Sequence, residues 1–402
     1  MLLGFRIRNF GPLVDVAIGL DPAGVPRGSR SCAMTPVSAL IGRNATGKTA
    51  VLDGLSFLSD CLRLGVPAAS LEGDRGGYTR LRTHDATDPV SFDVYLDAGD
   101  PDAPVGYRLE LDCDAQGRPS VRSEKAWFLK TGQAFFRLDQ GTGHVLERPG
   151  EAGENRRDAG VANLKHPALS AYGRLKEHGR LRAIFDDISR WYFCRFDPRL
   201  AREPAHAGGQ HHVSSTGHNL GNVIQYLEDE DPESLRVILD RIADRIPEIG
   251  GLHSRKTHDG HLVLQVGDDS LDDPSVLRRL SDGTLKMFAL LLLLSDPSPR
   301  PMICLEEPET GLHHEMLDTL AMEIRHHAAG IRRGRPGAQV LFTTHNPFLL
   351  DSLRPDEVWV LERPGEGAPR ARCIGADPVV QSLYSQGIGL GALWYSHHFE
   401  GM

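Results

Sequence analysis

Gly42-Arg43-Asn44-Ala45-Thr46-Gly47-Lys48-Thr49 fits the pattern G-x-x-x-x-G-K-[ST], between the apolar run Val37–Ile41 and a stretch of helical periodicity. Glycines at the two fixed positions let successive backbone N–H groups and the start of a helix face a polyphosphate. Lys48 is then placed to reach the β- and γ-phosphates, and the Thr49 hydroxyl to ligate Mg²⁺. Only seven of the 402 residues are lysines, so a chance match that uses one of them is uncommon. Gly42, Arg43, Asn44, Ala45, Thr46, Gly47, Lys48, Thr49 and Ala50 are therefore the candidate nucleotide-binding residues.

Three later segments carry complementary chemistry. The apolar run Met302–Leu305 ends in Glu306-Glu307-Pro308-Glu309. At a strand tip, one carboxylate (Glu306) can join a Mg²⁺ shell while the next (Glu307) acts as general base on a water. Leu280-Ser281-Asp282-Gly283-Thr284-Leu285-Lys286 precedes a strongly apolar helix. There Ser281 is a good N-cap, and the Ser281 hydroxyl with the Gly283 N–H also forms an anion site. Gln339 to Pro347 is a strand ending at His345, which can hydrogen-bond a γ-phosphate or the attacking water.

The periodicity predicts strands over 2–9, 13–20 and 37–41, then a helix over 48–64 with Val51, Leu52, Leu55, Leu58 and Leu62 on its apolar face. Residues 88–147 alternate as an antiparallel β region, and 148–160 read as an exposed link. Helices to about Ser189, a strand at Trp191–Phe196, and helices over 221–227 and 233–246 follow, with Glu228–Asp231 as a solvated connection. Strands at 262–266, 302–305, 340–343 and 358–361 alternate with helices over 282–294 and 314–325. The expected divisions are 1–147, a mainly helical inserted region 148–260, and 261–402.

Composition limits the function classes. The longest apolar run, Met287–Leu294, is too short for a bilayer, which takes roughly twenty residues. Six scattered cysteines without a C-x-x-C pair suit neither a disulfide framework nor a zinc knuckle, and point to a reducing cytoplasm. A net charge of −9 excludes general charge-driven nucleic-acid binding, although residues 151–202 are locally basic. His211, His212 and His218 share a Gly/Ser-rich loop, but adjacent histidines diverge in extended chain and no Cys or carboxylate has ligand-like spacing. His313-His314 and His326-His327 read as helix-surface residues.

In this order the motifs resemble the ABC-type ATPase heads of the SMC/RecF/OLD-like branch, including predicted bacterial ATPases of defence and repair contexts. Gly42 to Thr49 is similar to Walker A, Leu280 to Thr284 to the LSGGQ-type signature, Ile303 to Glu307 to Walker B, Glu309 to His314 to the D-loop, and His345 to the switch histidine. Arg8-Asn9-Phe10 is similar to the branch's opening strand. The resemblance implies an α/β P-loop NTPase, an ABC-ATPase-like head with an N-terminal antiparallel β region and a mostly helical insert. It also implies ATP and Mg²⁺ as cofactors, with Lys48, Glu307 and His345 catalytic and Thr49 and Glu306 on the metal. Two chains would sandwich two ATP, with Ser281 and Gly283 acting on the partner's nucleotide. Two departures stand out: Glu306 replaces the family's Asp, and residues 65–100 contain no glutamine for a Q-loop.

The resemblance implies an ATP-hydrolysing switch in phage defence that controls a separate nuclease or toxin effector. The alternative is a DNA-binding ATPase of repair or recombination, with Arg174, Arg180 and Arg182 on the duplex. A transporter subunit is a third reading, disfavoured by the missing glutamine and the N-terminal strand pattern. Intrinsic nuclease activity is not expected, because the 57 residues after His345 are too few for a Toprim domain and Glu362 is not followed by D-x-D.

Overall fold

A computed structural model describes residues 1–20, 32–146, 156–203, 205–246, 252–256, 258, 260–266, 280–298, 300–330, 337–365 and 367–399. Strands Val37–Ile41, Met302–Leu305 and Gln339–Thr343 are buried at every residue, the mark of a parallel sheet covered on both faces. They lie in a six-stranded sheet whose order is Tyr192–Cys194, Met302–Leu305, Gln339–Thr343, Val37–Ile41, Val358–Glu362 and Arg370–Cys373. All its pairs are parallel except the last.

Alternate residues of these strands enter different cores, as a period of two requires. Leu40, Met302, Cys304, Leu341 and Leu361 join the helix Lys48–Leu64 and an eight-stranded antiparallel sheet in one core. Ala39, Ile41, Ile303, Leu305, Val340 and Phe342 face the helices Asp282–Leu294 and Glu315–Ala329 in the other. The helix Asp282–Leu294 is apolar almost all round and accordingly buried from Met287 to Leu294.

The antiparallel sheet runs Leu13–Gly19, Leu2–Phe10, Val90–Leu96, Val105–Cys113, Pro119–Phe128, Ala134–Asp139, Thr142–Leu146, Arg156–Gly160. Its last strand corrects the expected link at 148–160, of which 148–155 lie outside the described residues. Arg-Arg-Asp-Ala-Gly has no apolar alternation because it is an edge strand, held by backbone pairing with Thr142–Leu146. Segment 148–260 thus enters both layers, since Tyr192–Cys194 also borders Met302–Leu305.

Two smaller expectations are also corrected. Glu228–Glu230 are the last turn of the helix Leu220–Glu230, with Glu228 accepting from the Ser254 N–H at 2.8 Å, and Asp231 caps the next helix through Ser234 N–H. His327 is buried, its Nδ1 2.8 Å from the Leu294 carbonyl oxygen, because the helix Glu315–Ala329 packs this edge against Asp282–Leu294.

One buried amide joins the two large sheets. The Gln339 Oε1 accepts from Leu2 N–H at 2.9 Å, and its Nε2 donates to the carbonyls of Leu2 (2.9 Å) and Thr35 (3.1 Å). Replacing Gln339 with Leu strands those buried backbone groups, each costing about 1–3 kcal/mol unpaired. Gln339→Leu should therefore lower the urea midpoint by an amount equivalent to about 3 kcal/mol; an unchanged midpoint would show that the clamp contributes nothing.

Candidate active site

Parallel pairing sets the carboxyl ends of Val37–Ile41, Gln339–Thr343 and Met302–Leu305 side by side, the edge at which open α/β sheets bind ligands. From these ends come the loop Gly42–Gly47, the segment Thr344-His345-Asn346, and Glu306-Glu307-Pro308-Glu309. The central strand of the three is the one that ends at His345, so the imidazole stands between the loop and the acids.

The loop has the backbone its residues dictate. Gly47 lies at φ 104°, which L side chains rarely adopt, and Ala45 at φ 64°. Lys48 is buried, only 7% of the residue being exposed, and its ammonium donates to the carbonyls of Gly42 (2.9 Å) and Arg43 (3.1 Å). Burial pulls its pKa down, opposed by the charges of Glu307, Glu306 and Glu309.

The two expected metal ligands meet directly, the Thr49 hydroxyl donating to Glu306 Oε1 at 2.5 Å. A hydroxyl and a carboxylate are hard oxygen donors, so the pair fits Mg²⁺. Glu307 has φ 41°, a left-handed backbone, yet it is not a glycine. Both its peptide groups are pinned: the N–H donates to Thr343 Oγ1 at 3.0 Å, and the carbonyl accepts from Lys286 Nζ at 2.8 Å. Strain of about 1–3 kcal/mol persists only where surroundings over-determine it, as here. The side chain stands with Oε1 3.3 Å from His345 Nε2 and with Oε2 accepting from the Thr310 hydroxyl at 3.2 Å.

Burial, aided by the Lys48 charge, lowers the His345 pKa against the pull of Glu307 and Glu309. The ring is therefore biased toward its neutral form beside the lysine, able to accept or donate one hydrogen bond. Glu309 positions it, accepting from the Thr344 hydroxyl at 2.6 Å and from the His345 N–H at 3.0 Å.

Ser281 and Gly283 stand apart from this group. The Ser281 hydroxyl is exposed and accepts from Thr284 N–H at 3.1 Å, and among the described residues no hydrogen bond links it to the loop. A Cβ on Gly283 would lie 2.3 Å from the Gly311 carbonyl oxygen, so only glycine allows the helix start to abut the segment after Glu309. The loop histidines do not converge: His211 stacks on Tyr226, His212 meets Asp296 at 2.5 Å, and His218 lies near Ser214 and Thr216. The arginines expected on a duplex have partners in the chain, Arg174 over Phe185, Arg180 over Phe128 and Arg182 near Asp186.

Two functional residues escaped the sequence reasoning. Lys286 also donates to the Thr310 carbonyl at 3.0 Å, bracing the acidic turn from the signature helix. The scarcity of lysine was the available signal. Arg195 follows the edge strand Tyr192–Cys194 and lies 3.7 Å from Glu306 Oε2 and 3.3 Å from Asp53 Oδ1. It thus supplies, from outside the 65–100 window, a cationic side chain at Glu306.

The fold and the site define an ABC/SMC-like ATPase head of the α/β P-loop type. Residues 37–351 match the model of the family described as "AAA domain, putative AbiEii toxin, Type IV TA system", and the chain belongs to that family. No curated protein matches the chain. Among solved structures it is similar to an SMC head bound to the C-winged helix domain of ScpA, with 12% identity, 92% of this chain and 97% of that one covered, and a TM-score of 0.52. The SMC head with an extended coiled coil from Pyrococcus furiosus gives 10% identity, 96% and 99% coverage, and a TM-score of 0.49. Among the described residues no helix is long and apolar enough to cross a membrane.

Lys286→Ala removes the brace while leaving the phosphate loop intact. Hydrolysis should fall about 10²-fold in kcat with little change in KM, the scale of a misplaced catalytic group. An equal rise in KM with kcat unchanged would place Lys286 in nucleotide binding instead.

Proposed function

We propose that this chain binds and hydrolyses ATP with Mg²⁺, dimerises around two nucleotides, and works as a nucleotide-controlled switch for a separate effector in phage defence. The observation that carries this reading is the convergence of Lys48, Glu306, Glu307 and His345 on adjacent parallel strand ends, while Ser281 remains exposed and outside the cluster.

Phosphoryl transfer from ATP to water asks for positioning and charge neutralisation more than for covalent chemistry. The loop N–H groups and Lys48 hold the β- and γ-phosphates. Thr49 and Glu306 would hold Mg²⁺, which supplies charge neutralisation on the phosphate oxygens. Glu307, fixed by Thr343 and Lys286, accepts the proton of the attacking water, and His345 orients that water or the γ-phosphate. Ser281 and the Gly283 N–H of a second chain complete the γ-phosphate cage, which makes hydrolysis the event that opens the dimer. The family's description, which names a putative toxin of a type IV toxin–antitoxin system, supports a role in defence.

Glu307→Gln keeps the size of the side chain and one acceptor oxygen but removes the base. With ATP and Mg²⁺ it should run as a stable dimer in light scattering, with hydrolysis reduced at least about 10²-fold, the lower end of a general base's contribution. Lys48→Ala should stay monomeric under the same conditions. A monomeric Glu307→Gln protein with bound ATP would overturn the sandwich, and lack of ATP binding would overturn the ATPase reading itself.

The defence role has its own readout. Cells carrying the chain with its neighbouring genes should resist phage, and Lys48→Ala or Glu307→Gln should abolish that resistance. Unaltered resistance in both variants would separate defence from the nucleotide cycle.

A further inference from the structure

A second polar cavity lies beside the active site, on the far side of Arg195. It occupies about 450 Å³ between the helix Lys48–Leu64 and the segment 189–219, a size suited to a small molecule. Its walls include Arg63, Arg75, Arg195, Arg300 and His212.

Counter-charge here is scarce. Asp60 is shared by Arg75 (2.8 Å) and Arg63 (3.4 Å), and Asp53 by Arg75 (3.0 Å) and Arg195 (3.3 Å). Glu72 is the remaining acid on the wall, and it is exposed. Arg300 has no hydrogen bond or ion pair among the described residues, and its Nε is buried without a partner. The nearest acid acting on it, Asp296, is occupied: Oδ2 lies 2.5 Å from His212 Nδ1, and Oδ1 accepts from Ser298 N–H at 2.7 Å. Burial together with the like charges of Arg190 and Arg63 lowers the Arg300 pKa. The Ser59 hydroxyl on the same wall is also buried and unpartnered.

A guanidinium whose Nε is buried without a hydrogen-bond partner and whose nearest acid is already occupied, beside others that must share theirs, is an arrangement completed by an anion. Ser59 adds a donor, so the missing partner is rich in acceptors. We propose that this cavity binds a phosphorylated small-molecule anion, held by Arg300 and Arg63 with Ser59, distinct from the nucleotide on the phosphate loop. Trp191 and Arg75 are buried in the walls, so the site is a concave cavity of the kind that takes a small molecule. Arg195 borders both this cavity and Glu306, so the ligand's charge competes for the same guanidinium that meets the metal-side carboxylate.

The test uses inorganic pyrophosphate as the probe and the full chain in a Lys48→Ala background, which weakens binding at the phosphate loop. Calorimetric titration should show binding at one site per chain. Arg300→Gln in the same background should weaken it at least ten-fold, and Arg63→Gln, a substitution at a half-exposed side chain, should weaken it by a smaller factor. Thermal melting of each variant establishes that it is folded, and Arg63→Gln carries the test if Arg300→Gln is not. Pyrophosphate binding that neither variant changes would overturn the proposal, as would no binding in the Lys48→Ala protein. Binding of a DNA duplex that is lost in Arg300→Gln, with pyrophosphate ignored, would also overturn it and assign the arginines to nucleic acid.

Discussion

Parallel pairing of Val37–Ile41, Gln339–Thr343 and Met302–Leu305 is the constraint on which the site depends. Strands buried on both faces can present polar groups only at their ends, and a parallel arrangement brings those ends to one edge. The phosphate loop, the imidazole and the acids are therefore neighbours although their separations in the chain run from 36 residues (Glu309 to His345) to 303 (Gly42 to His345). The two cores on either side hold the strands in register, and Gln339 ties this sheet to the antiparallel one through the backbone of Leu2.

Concentrating three carboxylates around one lysine creates an electrostatic problem before any phosphate arrives. Glu306, Glu307 and Glu309 all act on the Lys48 ammonium, and a polyphosphate adds further negative charge. The cations found around the acids meet this demand at different points: Lys286 on the Glu307 carbonyl, Arg195 beside Glu306. Lys286 also links the helix that begins at Ser281 to the turn that carries Glu307. Through that link, the start of the helix at Ser281 is mechanically connected to the position of Glu307.

The local elements were largely legible in the sequence, since the helix Lys48–Leu64 and the strand Met302–Leu305 have caps, loops and apolar periods written into contiguous residues. The edge strand Arg156–Gly160 was not. Arg156–Gly160 owes its strand conformation to a neighbour rather than to its own side chains, and no local pattern records it. The same distinction divides the site. Lys48, Thr49, Glu306, Glu307 and His345 sit in motifs of fixed spacing, whereas Lys286, Arg195 and Gln339 act on residues 21 to 337 positions away. Such contacts are decided by strand order, and strand order was the quantity that a single sequence did not contain.

The Q-loop question shows how strand order resolves an apparent absence. A search for glutamine between the first helix and the β region assumes that the side chain facing the metal comes next in the chain. Here six strands of the antiparallel layer intervene, and the strand bordering Met302–Leu305 is Tyr192–Cys194. Its carboxyl end must lie beside Glu306 whatever residue follows, and the residue that follows is Arg195. A guanidinium differs from an amide at that point in two respects: it carries a fixed positive charge, and it offers donors but no acceptor. It can therefore neutralise Glu306 but cannot itself ligate a cation. Glu306 and segment 189–219 are accordingly linked through charge, with Asp53 and Glu306 sharing the Arg195 guanidinium.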